Sequence, residues 1–322
     1  MKKVVLLATG GTIATLEDKD KGGLMAKLGG EELLQGISSQ FQVEVQNFST
    51  VNSTYLTPLD MFSMAKAVEN LLIQDEVSGV VITHGTSTME ETAFILDLVI
   101  ESNKPVVITG AQKPAGDNWP DGPQNLETAI LVAASSEAKE QGVMVVFCNK
   151  IFRAREVRKI HTTGLDAFSS DDRGLLGFVY SDRVKFYRQN IRNTLKIQEF
   201  ADVLVDIIKF YSGADNKFFQ AAIEAGAQGI VIEGVGLGNV NRAYYEGIKA
   251  CREQGIEVVI TSRSPLGCVQ PQYGYLGGGN SLEKLGVIFA EDLSSPKARL
   301  LLMLAFNMGI KGQKIKELFK KI

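Results

Sequence analysis

The chain has 322 residues, of which 45% are hydrophobic, and its 34 Lys and Arg against 37 Asp and Glu leave a net charge of -3. That is the balance of a globular protein long enough for two domains, each able to bury its own core. No basic stripe is present to hold nucleic acid, and the longest apolar runs, such as 300–306, fall far short of the ~18 residues a membrane span needs.

The start, Met1-Lys2-Lys3 followed by Val4 to Ala8, imitates a secretory leader. Its apolar stretch runs into Thr9-Gly10-Gly11 well before the ~7–15 residues of a signal-peptide core and without a small-residue cleavage site. A buried first strand and a cytoplasmic protein are therefore expected. Strands are then read at 4–9, 43–48, 77–83, 106–109 and 143–148, from short β-branched runs. Between them, 58–73, 89–101 and 123–139 place apolar residues three and four apart, the helix period. Residues 187–202 are polar and without strand period and read as a linker. A second series follows, with strands near 203–211, 229–233, 257–261 and 286–290 and helices near 217–225, 241–254, 295–307 and 314–320. The segment 265–281, rich in glycine and carrying Tyr273 and Tyr275, reads as a loop. The expected fold class is α/β: a larger N-terminal parallel-sheet domain (1–186) with helices on both faces, the linker 187–202, and a smaller C-terminal α/β domain (203–322).

Cysteines 148, 251 and 268 are odd in number and none stands at C-x-x-C spacing, so no disulfide framework is indicated. His84 and His161 are the only histidines, too few and too far apart for a zinc site or a Ser-His-Asp triad; both read as hydrogen-bonded structural residues. In parallel α/β sheets ligands bind beyond the carboxyl ends of the strands. Three loops at such ends are rich in Gly, Thr and Ser: 9–12, 84–88 and 110–112. Thr12, after two glycines, is either a presented nucleophile or a helix cap. The stretch lacks the Gly-Lys-Ser/Thr of a phosphate loop, and Gly234-Val-Gly-Leu-Gly238 does not fit a dinucleotide fingerprint and reads as turn glycines. Thr86 and Ser87 precede a helix whose first turn carries Glu90 and Glu91, a place suited both to capping and to an anion. In 154–159, Arg155 and Arg158 read as a solvated face.

These motifs together resemble the bacterial asparaginase–glutaminase family over nearly the full length. T-G-G-T-I-A at 9–14, H-G-T-S-T-M-E-E-T-A at 84–93, T-G-A-Q-K-P at 109–114 with D-G-P-Q-N-L at 121–126, R-E-V-R-K at 155–159 and S-P-K-A-R-L-L at 295–301 match its ordered blocks. The resemblance implies an amidohydrolase, foremost an L-asparaginase, with Thr12 as nucleophile, Thr86 and Lys159 as a second threonine and its activating lysine, and no metal or cofactor. It implies that Ser53 binds the substrate carboxylate, that Thr54 and Ser87 also belong to the substrate site, that the Ala111 backbone meets the scissile amide, and that a small amide is turned over in a homodimer or homotetramer with sites at the subunit interface. A weak hydroxyl nucleophile needs such a base or proton path, and a desolvated lysine supplies one.

Three departures bear on substrate. Where the family has an acid that grips the α-ammonium, this chain has Ser87; the region 263–281, where a neighbouring subunit's carboxylate is expected, has no Asp or Glu; and 22–27, in the loop after Thr12, has no tyrosine. They raise the alternative of an amide lacking a free α-ammonium, or of a scaffold that binds a small ligand without cleaving it. Glu17, Asp18 or Asp20 could replace the missing acid.

Overall fold

The computed structural model describes residues 3–20, 22–37 and 39–322. They form two compact units, Met1–Leu195 and Lys196–Ile322. The first unit contains strands β1 (Lys3–Gly10), β2 (Thr15–Asp18), β3 (Gly23–Ala26), β4 (Gln42–Val51), β5 (Val77–Thr83), β6 (Val106–Thr109), β7 (Val143–Phe147), β8 (Lys150–Arg153), β9 (Arg158–Lys159), β10 (Phe168–Ser169), β11 (Gly177–Tyr180) and β12 (Arg183–Phe186). Its helices are α1 (Gly30–Leu33), α2 (Pro58–Leu72), α3 (Met89–Val99) and α4 (Gly122–Ala134).

The main sheet runs β12-β11-β8-β7-β6-β5-β1-β4. From β4 to β7 all pairings are parallel, and β7, β8, β11 and β12 continue it antiparallel. In the parallel part the chain starts in β1, steps outward to β4, then returns across β1 to β5. The gap above β1 and β5 is thus a topological switch point, where loops diverge to opposite faces and leave a crevice.

The strands read as continuous apolar runs because both of their faces are covered. Val4, Leu6, Val81, Val107 and Met144 pack with Leu126, Ala129, Ile130 and Ala133 of α4. The alternate residues Val5, Leu7, Val80, Ile82 and Ile108 are equally buried, toward the opposite face. There α2 and α3 pack on each other and against β5 and β7. Thr57 caps α2 through a reciprocal pair, accepting from the Asp60 N–H at 3.2 Å while the Asp60 carboxylate accepts from the Thr57 N–H at 2.8 Å.

The expected helix over 123–139 stops at Ala134 because Ser135 turns extended and its hydroxyl accepts from the Glu137 N–H, starting a separate 3-10 turn. The β7–β8 hairpin was not legible: its two turn residues, Cys148 (φ 48°) and Asn149 (φ 61°), are both left-handed, and cysteine is no turn former. The stretch read as a linker is fastened to the first unit as far as Leu195. Asn190 N–H donates to Gln141 Oε1 at 3.0 Å, Arg192 Nε to buried Asp97 at 3.1 Å, and Leu195 N–H to the Leu98 carbonyl at 2.7 Å.

The second unit holds β13 (Val205–Lys209), β14 (Gly229–Gly234), β15 (Glu257–Ser262) and β16 (Ile288–Phe289), all parallel in that order. Helices α5 (Lys217–Glu224) and α6 (Arg242–Glu253) pack together, on β13 and β15 respectively. A short α7 (Gly279–Lys284) begins inside the segment expected to be loop; α8 (Ser295–Asn307) lies on β13, β14 and β15, and α9 (Gln313–Lys321) on β16. Among the described residues no helix is long and apolar enough to cross a membrane.

Candidate active site

Four loops meet beyond the carboxyl ends of β1, β4, β5 and β6, and glycines let their backbones touch. Gly10 and Gly11 have φ of 98° and 82°, the left-handed region that side chains with a Cβ avoid. A Cβ on Gly11 would lie 2.4 Å from the Gly85 nitrogen, and one on Gly10 would lie 2.6 Å from the Val51 oxygen. A Cβ on Gly85 would lie 2.7 Å from Ser53 Oγ, and one on Gly110 would lie 2.3 Å from the His84 oxygen. The loops are therefore in direct contact, held also by Thr9 Oγ1 donating to the Thr83 carbonyl at 2.6 Å and Thr88 Oγ1 donating to the Ser53 carbonyl at 2.9 Å. Gly11→Ala should both strain the backbone and push the loops apart. We expect a loss of about 2 kcal/mol or more in stability and a large loss of turnover. An unchanged Tm in thermal unfolding would contradict that account of the floor.

Thr12 opens a 3-10 turn, Thr12–Ala14, and is half-buried. Gly11, not Thr12, occupies the N-cap position of that turn, so the capping alternative does not describe Thr12. Thr15 Oγ1 ties the turn back by donating to the Gly11 carbonyl at 2.9 Å. Ser53 is buried at the start of the turn that follows β4, while its neighbour Thr54 is exposed. Ala111 is fully buried after β6.

Thr86 is buried and Ser87 exposed in the loop between β5 and α3. Lys159 arrives from β9, far along the chain, and its Nζ donates to Thr86 Oγ1 at 2.7 Å and more weakly to Gln112 Oε1 at 3.4 Å. Its backbone N–H donates to the Glu90 carboxylate at 2.6 Å, which fixes β9 against the first turn of α3. Burial pushes the Lys159 ammonium below its ordinary pKa, as the cost of desolvating a cation requires. The structure thus joins Thr86 to Lys159 directly and brings the loops of Thr12, Ser53 and Ala111 into contact with the loop of Thr86.

Sequence reasoning missed Gln112, Glu90 and the support behind them. Asp121, before α4, accepts from the backbone N–H of Gln112 at 3.0 Å and of Lys113 at 2.9 Å. Asn125 reaches the Gly110 carbonyl at 3.0 Å and Asp121 at 3.2 Å, while its Oδ1 accepts from the Cys148 N–H at 3.1 Å. The four-residue spacing of Asp121 and Asn125 was the available signal: it puts both on one helical face, turned to the loop after β6. Arg155 and Arg158, expected on a solvated face, are half-buried. Asp18, one of the acids considered as a replacement for the missing carboxylate, is paired with Lys27 at 3.0 Å.

His84 is wholly buried, with Nδ1 donating to the Gly85 carbonyl at 2.8 Å and Nε2 accepting from Thr92 Oγ1 at 2.9 Å. The surface His161 instead accepts through Nδ1 from the Thr163 and Gly164 N–H groups, at 3.1 and 2.7 Å. Burial depresses the His84 pKa from 6.5 to about 4. The unfolded chain therefore takes up this proton first as pH falls, so stability drops from pH 6.5 downward and levels off below about 4. The cost is about 3 kcal/mol. Unfolding free energies of the parent and His84→Gln, measured at pH 7 and pH 4, should differ in their acid sensitivity by that amount; parallel losses would rule His84 out as its source.

Known proteins resemble this chain over nearly its whole length. Residues 3–192 match the family model described as asparaginase, N-terminal, and residues 204–319 match the glutaminase/asparaginase C-terminal domain. The chain is 35% identical to the L-asparaginase of Bacillus licheniformis over 317 residues, 97% of this chain and 98% of that protein. It is 35% identical to the glutaminase-asparaginase of Acinetobacter glutaminasificans over 343 aligned positions, covering 98% of each. The crystal structure of a probable cytoplasmic L-asparaginase from Campylobacter jejuni superposes with a TM-score of 0.88 at 36% identity, covering 99% of both chains. With both domain models matched in order and relatives 35% identical over nearly the whole length, the chain belongs to the asparaginase family.

Proposed function

We propose that this protein hydrolyses L-asparagine to aspartate and ammonia through an ester on Thr12. The observation that carries the reading is the 2.7 Å contact of Lys159 Nζ with Thr86 Oγ1, set on a floor that brings the Thr12 loop against the Thr86 loop. A threonine hydroxyl is a weak nucleophile until a base removes its proton. A desolvated amine already on a second hydroxyl forms such a proton path.

In the reaction Thr12 Oγ attacks the side-chain amide carbon while its proton passes toward Thr86 and Lys159. The tetrahedral oxyanion is held by backbone N–H groups of the strand-end loops, each such donor worth ~3–4 kcal/mol in comparable sites. The proton goes to the leaving nitrogen, the C–N bond breaks, and ammonia departs. Water then attacks the acyl-threonine ester, releasing aspartate and restoring the hydroxyl. Ser53 and Thr54 take the substrate carboxylate, Ser87 lies beside the α-nitrogen, and the Ala111 backbone meets the scissile amide. The relatives named as L-asparaginases weigh toward L-asparagine and against an amide without an α-ammonium. We place the protein in the cytoplasm as a homodimer or homotetramer with sites completed by a neighbouring subunit. The name of the Campylobacter jejuni neighbour supports the compartment.

The test is ammonia release from L-asparagine, L-glutamine, N-acetyl-asparagine and succinamic acid. Turnover highest with L-asparagine supports the reading. Preference for N-acetyl-asparagine or succinamic acid overturns the substrate, and no release from any of the four overturns the activity.

A further inference from the structure

Lys159 offers its amine to two oxygens, and both are uncharged: Thr86 Oγ1 at 2.7 Å and Gln112 Oε1 at 3.4 Å. An ammonium has no lone pair and can only donate, so with Lys159 protonated this contact turns the Gln112 oxygen toward it. The other end, Nε2, is then buried with no hydrogen-bond partner among the described residues. A buried N–H left without an acceptor costs ~1–3 kcal/mol, so the amide is held in this orientation by something worth keeping. The loop that carries it is fixed from behind, since Asp121 accepts from the Gln112 backbone N–H at 3.0 Å. We propose that Gln112 is the positioning residue of Lys159, its side-chain carbonyl aiming the ε-amine at the Thr86 hydroxyl without setting a negative charge beside it. The inference rests on the reading of Lys159 as the base of the proton path.

The charged groups on elements packed about Lys159 are already engaged. Glu90 of α3 accepts from the Lys159 backbone N–H, Asp121 from the Gln112 and Lys113 backbone N–H groups, and Asp166, ahead of β10, pairs with Lys150. Arg158 precedes Lys159 on β9, and Lys113 follows Gln112 at an ion-pair distance of 3.8 Å from Asp117. Both bear the same sign as a protonated Lys159, so neither holds its proton in place. The lowered pKa of the amine, which follows from burial, agrees with a site in which no carboxylate holds the proton in place. A neutral acceptor orients a base; a carboxylate in the same position would orient it and also keep it protonated.

The variants Gln112→Glu and Gln112→Met separate orientation from charge. Two readouts are taken on the full-length protein: kcat for L-asparagine against pH, and the rate at which Lys159 is acylated by acetic anhydride against pH, followed by peptide mass spectrometry. Gln112→Glu should move the acid limb of both curves up by ~1 pH unit or more, cutting kcat near neutral pH about tenfold. Gln112→Met should lower kcat about tenfold at all pH values, with KM little changed and the acylation midpoint unmoved or lower. Overlapping parent and Gln112→Glu acylation curves would overturn the proposal, as would a Gln112→Met enzyme with parental kcat. The acylation curves need no substrate, so they decide the role of Gln112 even where the assigned activity fails. Full turnover in a Lys159→Met enzyme would instead overturn the base assignment on which the proposal stands.

Discussion

Thr12→Ala lowers kcat for amide hydrolysis by ~10³-fold or more, because no acyl ester can form without the hydroxyl. What rate survives comes from substrate binding and the oxyanion donors alone. The substitution is a clean one. Thr12 is half-buried and the N-cap of its turn is Gly11, so the substitution removes no helix cap and opens no core cavity. Stability should change by no more than ~0.5 kcal/mol, the range of substitutions away from packing and caps. Thr12→Ser, which keeps the oxygen, should recover a measurable part of the rate. Rapid quench with L-asparagine, followed by intact-mass detection of a protein adduct, checks the chemistry directly: the parent should show an acyl-enzyme and Thr12→Ala none. An alanine variant within tenfold of the parent would move the nucleophile elsewhere.

The parts of this site that were legible in the sequence are those carried by local pattern. Strands β5 and β6 were read to the residue, because a β-branched run bounded by Gly or His at its carboxyl end has only one sensible reading when helices flank it. Those two runs put Thr86 and Ala111 just past strand ends, as the run 4–9 did for Thr12. The contacts between loops are another matter. Gly11 against Gly85, and Gly85 against Ser53, join residues dozens of positions apart, and only the strand order β4-β1-β5 makes them neighbours. Lys159 illustrates the limit best. Its two-residue strand is too short to show any period, and its flanking arginines looked like a solvated face. Its meeting with Thr86 is decided by Glu90 catching its backbone N–H, a contact no spacing rule foretells. The hairpin β2–β3 was hidden for a related reason, since its antiparallel register runs from Thr15 against Ala26 to Asp18 against Gly23 with little apolar alternation to mark it. Gln112 was passed over because it reads as one polar residue in a turn; its meaning lies wholly in what its two amide atoms face.

Lys159→Met removes the amine while keeping most of the side chain's volume and reach. If Thr86 and Lys159 carry the proton, kcat falls by ~10²–10⁴-fold, the range for loss of general-base help. The pH dependence separates this from a merely structural loss. Lys159 can accept a proton only when neutral, and burial places its pKa below 10.5. The parent's kcat should therefore rise with pH through that lowered pKa and flatten above it, and the methionine variant should lose this limb altogether. The linkage has a definite sign as well. Because the folded state holds this proton less tightly than the unfolded chain, the unfolded chain binds more protons in the window between the lowered pKa and 10.5, and the stability contributed by this residue increases as pH rises through that window. Methionine carries no such penalty. Denaturant unfolding of the two proteins across this range should show the parent gaining on the variant toward high pH. A variant that retains the parent's acid limb would mean that some other group sets it, and Lys159 would then be a structural support for Thr86 rather than the base behind it.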